Sequence, residues 1–263
     1  MIAKIPYGND FAESFSKADG CKVTFFNETP AIASYLFAFC AGNYNVFTKF
    51  YTIPGRDTKL QMRILSRRTL ATETERIAEK MFDATWRGIC FYSKYFGFDF
   101  PYEKYDQVFC SEFKFGAMEN VGCVTYSEGY LGKGWNLGES DYMSFINVTL
   151  HELCHQWFGN LCTMTWWDDL WLNESFATYV SFLCMAQDES LFSQYPNIWV
   201  SVNAYKTWGY STDELPSNHP IVKDAVHTDS AIDMINGITY GKGCSFLKQL
   251  YNQIGDERFS KAT

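Results

Sequence analysis

Two stretches stand close together in the second half of the chain: His151-Glu152-Leu153-Cys154-His155-Gln156-Trp157-Phe158-Gly159-Asn160 and Trp171-Leu172-Asn173-Glu174-Ser175-Phe176-Ala177. The first opens on an H-E-x-x-H pattern inside a helical run. Residues four apart on an α-helix differ by about 40° around its axis, so both imidazoles project from one face, one turn apart. Two nitrogen donors at that spacing suit one zinc ion, and Glu152, beside the first, can take a proton from a water between them. A plain helix with two hydrogen-bonded histidines and a solvated glutamate would carry the same letters. The surroundings favour the metal. Ser140 or Asp141 can cap the helix and Gly159-Asn160 can end it. Glu174 follows His155 by nineteen residues, enough for one helix to end, a loop to turn and a second helix to return. Its flanks, Leu170-Trp171-Leu172 and Phe176-Ala177, are apolar, so the carboxylate points inward and needs a partner there. Two histidines and one glutamate leave a fourth position for water, as in catalytic rather than structural zinc sites.

Working outward, the fold class is α+β, with extended signals first and helices after. Cys21-Lys22-Val23-Thr24-Phe25 alternates, Asn27-Glu28-Thr29-Pro30 turns the chain, and Lys59-Leu60-Gln61-Met62-Arg63-Ile64 alternates again. Thr72 and Glu75 form a T-x-x-E capping box ahead of Ile77, Met81, Thr85, Trp86, Ile89 and Phe96, which recur at helical steps until Gly97 and Pro101. Residues 105–110 and 121–126 read as strands flanking Gly116-Ala117-Met118-Glu119-Asn120, a strand edge where Gly116 and Ala117 can offer backbone groups to an extended peptide. From Ser140 the pattern is helical, broken at Gly159, Pro196, Pro216, Pro220 and Gly237. Neither end of the sequence reads as the natural edge of a domain: no first strand of its own opens it, and residues 257–263 run out without a cap.

Composition is that of a globular protein. Of 263 residues, 47 % are hydrophobic and 18 % aromatic, which excludes a disordered tail protein. Thirty acids against 22 bases give a net charge of −8, which argues against nucleic acid and against an anionic membrane surface. No apolar run reaches the roughly 18 residues of a membrane span; the best, residues 31–41, is too short. The nine cysteines are odd in number and lack Cys-x-x-Cys spacing, so they read as buried free thiols in a reducing, cytoplasmic compartment. His219 and His227 show no ligand spacing and read as structural. The oligomeric state is not legible.

The sequence resembles the gluzincin zinc aminopeptidases of the aminopeptidase N type. The resemblance rests on Gly116-Ala117-Met118-Glu119-Asn120, on the two stretches quoted first, and on Ile238-Thr239-Tyr240-Gly241-Lys242-Gly243. It covers essentially the whole chain and is nearest to bacterial-type members. It implies the end of an antiparallel β-domain over residues 1–50, then a thermolysin-like zinc metalloprotease domain over 51–263 that lacks its C-terminal part. It also implies one zinc ion held by His151, His155 and Glu174. In the same reading Glu152 is the general base for a zinc-activated water, and Tyr240 stabilises the oxyanion. Gly116, Ala117, Met118 and Glu119 would bind the substrate, with Glu119 taking the free α-ammonium of a peptide. Val121, Thr165 and Ser175 stand where many members carry Trp, an acid and Gly; Val121 bears on substrate preference. The competing readings are an endopeptidase or epoxide hydrolase on the same scaffold, and a non-enzymatic peptide-binding module. Ala117, where epoxide hydrolases usually have Gly, disfavours the epoxide hydrolase, and the intact set His151, Glu152, His155, Glu174 and Tyr240 disfavours the non-enzymatic module.

Overall fold

The structure is a computed structural model that describes residues 26, 28–53, 56–57, 59–132 and 137–262. The alternating stretch 21–25 and Asn27 lie outside the described residues. A five-stranded mixed sheet comes first: β1 (Tyr44–Thr52), β2 (Lys59–Arg67), β3 (Lys104–Cys110), β4 (Ala117–Met118) and β5 (Val124–Ser127), in the order β1-β2-β3-β5-β4. β1 runs across residue 50 and pairs antiparallel with β2 along its whole length. β2 and β3 are parallel, so the chain must cross over between them, and helix α1 (Ala71–Tyr95) makes the crossing. The alternation at residues 59–64 places Leu60, Met62 and Ile64 in the core, where Ile77, Met81 and Ile89 of α1 meet them.

Two local expectations give way. The capping box at Thr72 and Glu75 does not form: a 3-10 turn, Arg68–Leu70, runs straight into α1, which starts at Ala71 with no side-chain cap. Residues 121–123 are a turn rather than strand. Cys123 N–H donates to the Asn120 carbonyl at 3.1 Å and Gly122 takes φ +65°, so β5 starts only at Val124.

The rest is helical: α2 (Glu139–Cys154), α3 (Leu170–Gln187), α4 (Glu189–Gln194), α5 (Ile198–Asp213), α6 (Thr228–Ile232), a π-helical segment (Ile238–Lys242), α7 (Gly243–Ile254) and α8 (Asp256–Lys261). α3 is buried nearly all round, with every residue from Asn173 to Met185 inside. A helix apolar on all faces belongs at a core's centre, and α3 packs against α2, α7 and the π-helical segment. α2 begins one residue before Ser140. Its N-cap is Gly138, whose N–H donates to Asp141 Oδ2 at 2.8 Å. α2 also ends earlier than Gly159: His155 is its C-cap, and residues 155–158 continue as tight turns. Tyr92 ties α1 to α2 through a hydroxyl that donates to the Leu150 carbonyl at 2.9 Å. The eight described cysteines are all free, but only Cys154, Cys184 and Cys244 are buried; Cys90 and Cys162 are exposed because they face outward from their helix and turn. Among the described residues no helix is long and apolar enough to cross a membrane.

Candidate metal centre

α2 presents His151 and Glu152 in its last turn and His155 at its cap; the second turn of α3 presents Glu174. Ligand atoms of His151, His155 and Glu174 all lie within 4.8 Å of one another. The two Nε2 atoms are 3.0 Å apart, and Glu174 Oε2 is 3.2 Å from that of His151 and 3.3 Å from that of His155. The outer ring nitrogens set the tautomers. His155 Nδ1 lies 3.1 Å from the Phe158 carbonyl, which only accepts, so Nδ1 carries the hydrogen and Nε2 turns its lone pair inward. His151 Nδ1 lies 3.3 Å from the Thr178 hydroxyl, which can accept in the same way. Two bare imidazole nitrogens facing each other repel; a shared cation satisfies both and the carboxylate as well. The donor set therefore fits a divalent metal held by two nitrogens and one oxygen.

Gly159 permits this packing. It sits at φ +127°, and a Cβ there would lie 2.9 Å from His155 Nδ1 and nearer still to Asn173 Oδ1.

The charge balance also favours a cation. Glu119, Glu152 and Glu174 are 4 %, 5 % and 8 % exposed. Burial, then the charge of Glu119, pushes the Glu152 carboxyl well above its usual range, and burial raises Glu119 against the pull of His155. Burial would raise Glu174 too, but His155 and His151 hold it well below the usual range. Burial opposes the charge on His155, yet Glu119 and Glu174 overcome it and push that imidazole up to about 10; burial lowers His151. The field of these carboxyl groups that raises His155 is one that a cation among the donors offsets.

Beside this cluster lies a cavity of about 350 Å³. Gly116, Ala117, Met118, Glu119, His151, Glu152, Glu174 and Tyr240 all line it, with Phe115, Val148, Tyr205, Trp208 and Ile235 forming an apolar wall. His155 is absent from the lining and lies fully buried behind it. β4 forms one edge of the sheet, leading directly to Glu119. The Glu119 carbonyl accepts from Gln156 Nε2 at 3.2 Å and Asn160 Nδ2 at 2.8 Å. Asn120 Oδ1 accepts from Thr125 Oγ1 at 2.9 Å. Residues just past the histidines therefore fasten the Gly116–Asn120 stretch beside them.

Tyr240 enters from the π-helical segment, its ring 6.1 Å from that of His151 and 5.7 Å from that of Trp208. Burial, then Glu174, Glu119 and Glu152, pushes its phenol well above the ordinary value, so it stays a protonated donor. Ser175, next to Glu174, donates through its hydroxyl to the Thr239 carbonyl, linking α3 to this segment. Lys242 Nζ pairs with Asp213 of α5 at 2.8 Å.

The apolar wall, Thr178, Ser175 and the Gln156–Asn160 fastening escaped the sequence reading. Thr178 had a usable signal: it stands four residues after Glu174, on the same helical face.

Comparison with known proteins gives the family. The peptidase family M1 domain matches residues 80–263. Aminopeptidase N of Streptomyces lividans is 41 % identical over 237 residues, covering 90 % of this chain and 27 % of that protein. A probable aminopeptidase 2 of Sulfurisphaera tokodaii is 35 % identical over 242 residues, covering 91 % of this chain and 29 % of that protein. The mitochondrial aminopeptidase 2 of Saccharomyces cerevisiae is 34 % identical over 253 residues, covering 92 % and 24 %. The chain spans about a quarter of the length of these relatives.

Proposed function

The chain belongs to the peptidase M1 family, and from that premise we propose that it carries the catalytic centre of a zinc-dependent aminopeptidase acting on peptides with a free N-terminus. Residues 51–263 are read as the catalytic domain and residues 1–50 as the end of a β-domain. The observation that carries the exopeptidase reading is Glu119: a buried carboxylate at the end of an edge strand, in the same cavity as the His151, His155 and Glu174 donors.

His151, His155 and Glu174 hold one zinc ion in this reading. Bound there, zinc supplies Lewis-acid polarisation of the scissile carbonyl and of the attacking water. The chain's own groups do the rest. The edge of β4 aligns the peptide backbone, and Glu119 takes the α-ammonium in a charge-assisted bond that stops the substrate one residue past the metal donors. Glu152 accepts the proton of the attacking water and passes it to the leaving amine. Its burial beside Glu119 raises its basicity. Tyr240 donates to the oxyanion, whose charge exists only on the way to product, so the bond lowers the barrier more than it tightens binding.

The test uses full-length protein and aminoacyl reporter substrates. Amino-acid release that a chelator stops and zinc restores is the expected result. Glu119→Ala is expected to raise KM for free-amine substrates while zinc content stays unchanged. Equal cleavage of N-blocked and free peptides by the parent protein would overturn the exopeptidase reading and point to an endopeptidase.

A further inference from the structure

Tyr240 reaches the cavity from a segment whose shape is set outside it. His219, 9 % exposed, lies in the loop between α5 and α6. Its Nδ1 is 2.7 Å from the Pro220 carbonyl, so that nitrogen carries the hydrogen and Nε2 is left bare. Nε2 then accepts from Asn236 Nδ2 at 2.9 Å. The remaining bonds of Asn236 fix which way its amide faces. Its Oδ1 accepts the Ile238 N–H at 2.9 Å, and Nδ2 also donates to the Asp233 carbonyl at 3.1 Å. Its own carbonyl accepts the Tyr240 N–H at 3.1 Å. One asparagine thus closes the entry to the π-helical segment through side chain and main chain together, and a histidine holds that side chain.

We infer that His219, acting through Asn236, is a positioning residue that aims Tyr240 into the cavity. The inference rests on the reading of Tyr240 as the oxyanion donor. π-Helical turns are rare and gather at functional sites, because their wider ring holds a residue where an α-helix would not. A side chain aimed from such a turn needs its ends fixed, since a catalytic group displaced by a fraction of an ångström loses much of its effect. The far end of the segment has the Lys242–Asp213 pair and its middle has the Ser175 bond; the near end has His219 and Asn236.

Two amide substitutions separate a latch from mere packing. Gln at position 219 places an amide oxygen where Nε2 stands and can still accept from Asn236; Asn places its amide near Nδ1 and falls short. His219→Asn is expected to lower kcat about tenfold, the worth of one lost hydrogen bond, with KM and zinc content unchanged. His219→Gln is expected to restore kcat to within about twofold of the parent. Hydrogen exchange gives a second readout: the Ile238 and Tyr240 amides exchange faster in the Asn variant and not in the Gln variant. Where the Asn variant does not accumulate as soluble protein, Asn236→Ala takes its place. Equal kcat and equal exchange in both variants, or a loss confined to KM, would overturn the latch. Tyr240→Phe in the same assay keeps the two readings apart. A fall in kcat there with indifferent His219 variants overturns the latch alone. No fall there overturns the oxyanion role of Tyr240, and with it the catalytic purpose of the latch.

Discussion

Glu152 and the two histidines beside it lie on the last turn and cap of one helix, but only some of them face the cavity. His151 and Glu152 line it, whereas His155 is fully enclosed behind. A carboxylate that faces the cavity and is raised by burial and by Glu119 is suited to hold a proton in transit. Glu152→Gln keeps the shape and removes the proton acceptor. It is expected to lower kcat by roughly 10²- to 10⁴-fold while zinc content, measured by atomic absorption, remains that of the parent. Normal turnover in that variant would sink the base assignment. At this scale much of the site was legible. The H-E-x-x-H spacing fixes a shared helical face, and the apolar flanks of Glu174 announce an inward carboxylate. The Phe158 carbonyl was hidden, because it is main chain, which no residue letter records, and Thr178 was traceable only through its place one turn after Glu174.

Elements were less legible than residues. The helical period at Ile77, Met81 and Ile89 finds α1 because burial of one face imposes it, whatever happens at the ends. Its start was misread because a 3-10 turn can deliver the chain into a helix without a side-chain cap. The strand expected at 121–126 lost its first three residues to a turn that needs Gly122 at positive φ. α3 is the element on which the site depends, since it carries Glu174 and Ser175 on one turn and Thr178 on the next, all inside the core. Phe176 anchors it, stacked on Phe158 at 4.1 Å and on Phe259 at 6.0 Å between ring centroids. Phe176→Ala is expected to cost about 3–5 kcal/mol of stability, read as a lower denaturant midpoint. A change below about 1 kcal/mol would show that α3 is held by other contacts.

For the molecule as a whole, three buried carboxyl groups beside two imidazoles form a centre that a bound cation would stabilise. Removing the metal is expected to lower Tm by several degrees, and adding zinc back to restore it in a concentration-dependent way; a Tm indifferent to chelator would show that the cluster holds no ion in solution. The fastening of Glu119 has a consequence for what leaves the enzyme. Two amide side chains, Gln156 and Asn160, clamp the Glu119 carbonyl to the turn that ends the histidine helix. In the aminopeptidase reading the gap between amine anchor and cutting point is thus a ruler one residue long, with both of its ends nailed to the same short piece of chain. Replacing both amides by alanine is expected to let the anchor drift, so that mass spectrometry of digests finds dipeptides alongside single amino acids. A digest of single residues alone would place the ruler's rigidity elsewhere. In that reading the clamp sets how many residues leave in each cut.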